Sequence, residues 1–173
     1  IDAEEIEMMR LDMPSIIFQQ EIMADLVTTT GARLKREWIK YAEPPEGAEY
    51  AFGVDLAISK KTDADFSAIV VTAKYGNNLY IADVVRVKDS FNATLETIKN
   101  LAARYNPQII TIEAVQYQVA MIQELIRTTT LPIKSAHPTK DKVTRFIPVE
   151  GKYEHGYVYH SKHRSEEHTS ELQ

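Results

Sequence analysis

The chain has 173 residues, is 44% hydrophobic and 26% charged, and carries a formal net charge of −5. This is the profile of one globular domain with a buried core, and it excludes a large multidomain enzyme unless the chain is a piece of one. There is no cysteine, so disulfides and thiolate metal sites are excluded and any metal must be held by oxygen or imidazole. The longest apolar runs, such as Ile69-Val70-Val71, fall far short of the ~20 residues that cross a bilayer, and no membrane partner is expected.

Charge is unevenly placed. Residues 1–49 hold 11 acidic and 5 basic side chains, whereas 115–164 hold 8 basic and 4 acidic, which makes the latter a locally basic surface. The opening Ile1-Asp2-Ala3-Glu4-Glu5 has no initiator methionine and neither the basic start nor the apolar stretch of a signal peptide, so the chain is expected to begin inside a longer protein.

In chain order, Ile6, Met9 and Met13, then Ile17, Ile22, Leu26 and Val27 recur at helical spacing on either side of Pro14, predicting two short helices. Trp38 and the N-terminal methionines read as packing residues. Glu43-Pro44-Pro45-Glu46-Gly47 is a stiff polar linker, and a boundary is placed after Gly47. From Tyr50 to Ala57, Tyr, Phe, Val and Leu alternate with Ala, Gly, Asp and Ala; this predicts a strand with Asp55 on its small-residue face.

Two β-branched runs, Ser67 to Ala73 and Leu79 to Val87, are joined by Gly76-Asn77-Asn78, which predicts a hairpin. Leu95, Ile98, Leu101, Ala102 and Tyr105 mark a helix that stops before Asn106-Pro107. Ile109 to Ile112 is an apolar strand ending at Glu113, and Val115, Val119, Ile122 and Ile126 mark the next helix. Ile133 to Ala136 is a short strand. Thr139 is expected to cap a helix from Lys140 that Pro148 ends or kinks, before a further strand opens at Tyr157-Val158-Tyr159.

The order β-β-β-α-β-α-β-α predicts an α/β fold with a ribonuclease H-like mixed sheet: three antiparallel strands, then alternating helix and strand, flanked by helices. If the first and fourth strands are parallel neighbours, Asp55 and Glu113 meet at their carboxyl ends, where open α/β sheets bind ligands. Two carboxylates in one cleft repel each other, and a hard divalent cation such as Mg²⁺ or Mn²⁺ relieves the conflict. A two-metal site of this kind hydrolyses phosphodiesters. The alternative is that Asp55 merely ends a strand and Glu113 caps a helix.

Four segments carry a family resemblance: Gly53-Val54-Asp55-Leu56-Ala57, Thr62-Asp63-Ala64-Asp65-Phe66-Ser67-Ala68, Ile112-Glu113-Ala114-Val115-Gln116-Tyr117-Gln118, and Asp141-Lys142-Val143-Thr144-Arg145 before Gly156-Tyr157-Val158. In this order and spacing they resemble the nuclease domain of tailed-phage terminase large subunits, over about Tyr50 to His160. The resemblance implies a metal-dependent endonuclease that cuts concatemeric viral DNA, with Asp55 and Glu113 as catalytic metal ligands. It further implies double-stranded viral DNA, a small terminase subunit and a portal protein as partners, in the host cell cytoplasm.

Residues 1–47 then look like the end of the packaging ATPase and its linker, residues 48–163 like an incomplete nuclease domain, and 164–173 like a non-native tail resembling translated adapter sequence. ATP would serve only an ATPase domain outside this chain. The family's third acidic ligand has no suitable position here, so the chain is expected to be C-terminally truncated and inactive alone.

Asp65 is a further candidate to touch the metal or its water shell, or it caps a polar turn with Asp63. Lys140, Lys142, Arg145 and Lys152 are candidates for a DNA-backbone groove, or they form a solvated helix face. Gln116 and Gln118 orient substrate or simply begin a helix. His137, His155, His160 and His163 lack a paired-ligand spacing and read as surface or DNA-proximal groups. The rival readings are a Holliday-junction resolvase or transposase with the same acidic face, a nucleotide-binding actin-like domain, and a non-catalytic portal-docking module. Leu56 to Lys61 contains no glycine for an actin-like phosphate turn.

Overall fold

Alternation along one strand sets the two faces of the sheet. In β2 (Glu49–Asp55), Phe52 and Val54 are buried while Gly53 and Asp55 are exposed, as successive side chains of a strand point to opposite faces. A computed structural model describes residues 7–10, 13–15, 34–56, 66–88, 91–113 and 119–162, except the side chains of 120, 121 and 124. The two N-terminal helices expected before residue 31 lie largely outside these residues.

Among the described residues the sheet has seven strands in the order β1-β7-β4-β3-β2-β5-β6. Besides β2 they are β1 (Lys40–Tyr41), β3 (Ser67–Tyr75), β4 (Asn78–Val87), β5 (Ile109–Glu113), β6 (Ile133–Ala136) and β7 (Val158–His160). Strands β2, β3 and β4 are antiparallel, and β5, β6, β7 and β1 add in parallel. This is the expected ribonuclease H-like mixed sheet. The short β1 was not foreseen: a strand of two residues carries no readable alternation, and it joins the sheet from the N-terminal side of the boundary placed after Gly47.

Helices α1 (Phe91–Tyr105) and α2 (Val119–Thr128) bury Ile98, Leu101, Ala102, Ile122 and Leu125 against Phe52, Val54, Ile69, Val71, Ile110 and Ile112. Burying a side chain of this size contributes about 1.5–3 kcal/mol, so this face is the core. Asn106, at φ 47, takes the left-handed conformation just past α1, and Pro107 prevents continuation. In α2 the expected core residue Ile126 is exposed and Leu125 is buried instead. The buried row runs i, i+3 from Ile122, which leaves i+4 on the flank. Gly76, at φ 58, opens a two-residue hairpin loop closed by the Tyr75–Asn78 pair.

Helix α3 (Lys142–Glu154) departs from expectation at its start, and of the two outcomes expected at Pro148 it excludes an end there. Asp141, not Thr139, is the N-cap: its carboxylate accepts from the Thr144 amide at 3.0 Å and the Thr144 hydroxyl at 2.5 Å. Those bonds hold the carboxyl below the usual range. Pro148 neither ends the helix nor stops it short of Glu154. It removes one helical hydrogen bond, and the turn beyond it is secured by burial of Gly151 and Tyr153.

Gly151 lies so close to the Met13–Pro14 backbone that a Cβ there would collide with the Met13 carbonyl carbon. Gly156, at φ 74, terminates the helix. Its amide donates to the Tyr153 carbonyl at 3.0 Å, while the Tyr157 amide donates to the Lys152 carbonyl at 2.9 Å, the two bonds of a Schellman motif.

The second anchor of α3 is polar. The Tyr153 hydroxyl lies 2.8 Å from His160 Nε2, and burial pushes the tyrosine up and the imidazole down from their ordinary values. With its value depressed below about 6.5, the neutral ring is favoured by folding. That stability is present above the ordinary imidazole value and is lost as pH falls from there through the depressed one. Urea midpoints measured from pH 7.5 down to 5 should therefore decline, and His160→Gln, which keeps an acceptor near Nε2, should flatten that decline.

Candidate functional site

Strands β2 and β5 run parallel in a register that makes Asp55 and Glu113 direct Cα partners. Both are the last residues of their strands. Ala68 of β3 is the next partner of Asp55, and Arg86 of β4 is the partner of Ala68. Glu113, Asp55, Ala68 and Arg86 thus form one transverse row across four strands. Directly paired side chains share a face, and this face is the one opposite the core.

A shallow cavity of about 300 Å³ opens over the row, lined by Gly53, Asp55, Ala68, Val70, Thr111, Glu113, Ala136 and Arg145. Its floor is low because the residues beside Asp55 are small: a Cβ on Gly53 would meet nothing within 4 Å. Helix α3 crosses this same face, with Tyr153 on His160 at one end. At the other end Arg145 Nη1 donates to Glu113 Oε2 at 3.2 Å. The partners are 36% and 31% exposed, and such a pair contributes about 1 kcal/mol or less. The bridge is weak enough for a dication or a phosphate to displace it.

Of the sequence-selected residues, Asp55, Glu113 and Arg145 are brought together. Lys140 and Lys142 flank the Asp141 cap at the same end of α3 and are exposed. Lys152 lies ten residues on, about 15 Å along the helix axis, and lines a different cavity of about 550 Å³ with Lys74 and Tyr157. Lys74 pairs with Glu49, roughly 20 Å along the strand from Asp55. Asp63, Asp65, Gln116, Gln118 and His163 lie outside the described residues.

The described histidines make contacts within the chain, and His137 is exposed as expected. His160 is half-buried against Tyr153, His155 Nε2 lies 2.7 Å from the Arg10 carbonyl oxygen, and His137 Nε2 lies 3.2 Å from Ser135 Oγ. His160 is thus not the surface group expected. Among the described residues, no three His, Asp or Glu side chains converge as a metal-holding group.

Comparison with known proteins bears on the family and the fold. The family model for the terminase RNaseH-like domain matches residues 52–173. The chain belongs to the terminase RNase H-like family. The matched stretch includes the segment 164–173 that was expected to be non-native. No curated protein matches the sequence.

Among solved structures, the large terminase of a thermophilic bacteriophage superposes with a TM-score of 0.68 at 10% identity, over 98% of this chain and 43% of that one. The large terminase nuclease of a second thermophilic phage, G20c, gives 0.52 at 15% identity, over 73% and 70%. Its magnesium-bound form gives 0.55 at 16% identity, over 73% and 70%. At these identities the likeness is one of fold. The chain spans 43% of the length of the first of these large terminases.

Arg86 escaped the sequence reading because of a β-bulge. The register shifts between Val71 and Thr72, which pair with Asp83 and Ile81 and leave Ala82 as the extra residue. Tyr80 and Ala82 are buried before the shift, Asp83 is buried after it, and Val85 and Val87 pack on the core. One added residue exchanges the faces of all that follow, which turns Arg86 onto the face of Asp55. The available signal was the broken alternation at Ala82-Asp83.

Gly53→Val should keep the fold, since β-branched residues favour strands by up to about 1 kcal/mol and the space is empty. It should fill the cavity floor beside Asp55. Thermal unfolding should stay within a few degrees of wild type while Mn²⁺ binding weakens; equal Mn²⁺ binding would show that the floor is not part of the site.

Proposed function

We propose that this domain is the nuclease part of a phage terminase large subunit and hydrolyses phosphodiester bonds of double-stranded viral DNA with Mg²⁺ or Mn²⁺. The observation that carries the reading is the register pairing of Asp55 with Glu113 on parallel strand ends beneath an open cavity. Two adjacent carboxylates form an all-oxygen donor set suited to a hard divalent cation. The magnesium-bound G20c nuclease, similar in fold, supports the choice of metal.

Asp55 and Glu113 would hold the cation, which when bound supplies Lewis-acid polarisation of the phosphodiester and activation of water. The remaining work falls to the protein. Gly53 and Ala68 keep the floor low enough for a sugar-phosphate backbone to approach. Arg145, released from Glu113, offers its planar guanidinium to a phosphate oxygen. Lys140 and Lys142 extend that positive edge at the start of α3 and add affinity without reading sequence.

In the longer protein, the packaging ATPase would precede this domain, with ATP bound there. A small terminase subunit and a portal protein would deliver and receive the DNA in the host cytoplasm. The longer large terminase that covers nearly all of this chain, of which a complex with ADP is known, supports that arrangement.

Mn²⁺ binding followed by electron paramagnetic resonance tests the ligands directly. Asp55→Asn and Glu113→Gln should each weaken binding by about tenfold or more, as one charge-assisted ligand is worth roughly 1.5–3 kcal/mol. In the intact large subunit both should abolish nicking of supercoiled plasmid. Unchanged Mn²⁺ affinity in both variants would overturn the assignment.

A further inference from the structure

Three side chains beside the acidic pair were given no role by the sequence. Arg86 stands two strands from Asp55 in the transverse row, about 10 Å away at a strand spacing near 4.8 Å. Phe66 and Lys88 lie one step beyond the Ser67–Val87 pair, which puts them on the same face as Arg86. Phe66 is 42% exposed. The Arg86 guanidinium carbon sits 4.2 Å from the centre of its ring, and Lys88 Nζ sits 5.4 Å from it.

The half-exposed phenyl ring thus carries two cations over its face on the side of the sheet that holds Asp55. Stacking does two things for Arg86. It fixes the guanidinium plane, so less side-chain freedom is lost when its N–H groups bind, and it leaves those N–H groups directed outward. Neither Arg86 nor Lys88 makes an ion pair with a carboxylate among the described residues. Their charge is available to a polyanion. The axial rise per phosphate on one strand is about 3.4 Å, so a site roughly 10 Å from Asp55 falls within about three nucleotides of it.

We propose that Arg86 and Lys88, held by Phe66, form a second phosphate-binding grip for the DNA strand leaving the acidic pair on the β4 side. Arg145 and the start of α3 flank the pair on the opposite side, so the backbone would be clamped at both edges of the row. The grip rests on the reading of Asp55 and Glu113 as the cutting site. It assigns Phe66 as a positioning residue acting through Arg86, and no residue here as catalytic.

The test is fluorescence anisotropy of a short labelled duplex with the full 173-residue chain, in EDTA, across about 50–200 mM KCl. Each lost phosphate contact lowers the slope of log affinity against log salt by about 0.9, so Arg86→Ala with Lys88→Ala should make the slope shallower by about 1.8. Phe66→Leu should weaken binding with the slope unchanged, because it keeps both charges but removes the platform. Lys99→Ala, on α1 over the opposite face, should change neither.

A wild-type slope in the Arg86/Lys88 double variant, or an equal loss in Lys99→Ala, overturns the grip. So does failure of the wild-type chain to bind duplex. Mn²⁺ binding is read separately: if it still depends on Asp55 and Glu113, the grip falls and the cutting site stands; if it does not, both fall. Circular dichroism of each variant identifies any loss of folding, and Arg86→Lys, which keeps the charge and the strand, should retain the salt slope even where affinity drops.

Discussion

Parallel pairing of β2 with β5 is the constraint on which the rest depends. It sets Asp55 beside Glu113 at the carboxyl ends of two interior strands, where like charges paired across neighbouring strands disfavour one another. A fold that retains such a pair needs positive charge nearby. Arg145 supplies part of it through an exposed bridge to Glu113. That bridge satisfies one carboxylate and leaves Asp55 facing an open cavity, an arrangement better suited to holding a metal ion than to stabilising the sheet.

The core holds those strand ends in place. Phe52, Val54, Ile110 and Ile112 are almost completely buried beneath α1 and α2, so the strands that carry the two acids cannot slip without moving every core residue to the wrong face. The opposite face is shaped by subtraction: Gly53 and Ala68 leave space, while α3 is held at its far end by Tyr153 and His160 and at its near end by the Asp141 cap. One helix thereby links the packing of β7 to the placement of Arg145, and the bulge at Ala82 completes the row by turning Arg86 to the same side.

Much of this was legible in the sequence because strand alternation and helix spacing are local. Alternation from Tyr50 onward put Asp55 on the small-residue face, and the order of elements implied that the strand ending at Glu113 would lie beside it. What escaped was non-local or cancelled by context. Lys40–Tyr41 becomes a strand only because Val158–His160 is there to pair with it. Pro148 is tolerated because buried neighbours hold the following turn, and the face of Arg86 depends on one extra residue in a strand whose composition looks uniform. Lys152 shared its basic character with Arg145, yet its place further along the helix carries it to another cavity.

The most direct test is the anomalous diffraction of crystals of this chain soaked in Mn²⁺. The account predicts a peak between the carboxylates of Asp55 and Glu113, with the Arg145 guanidinium moved off Glu113. Manganese bound elsewhere, with the Arg145–Glu113 bridge intact and no density at Asp55, would contradict it.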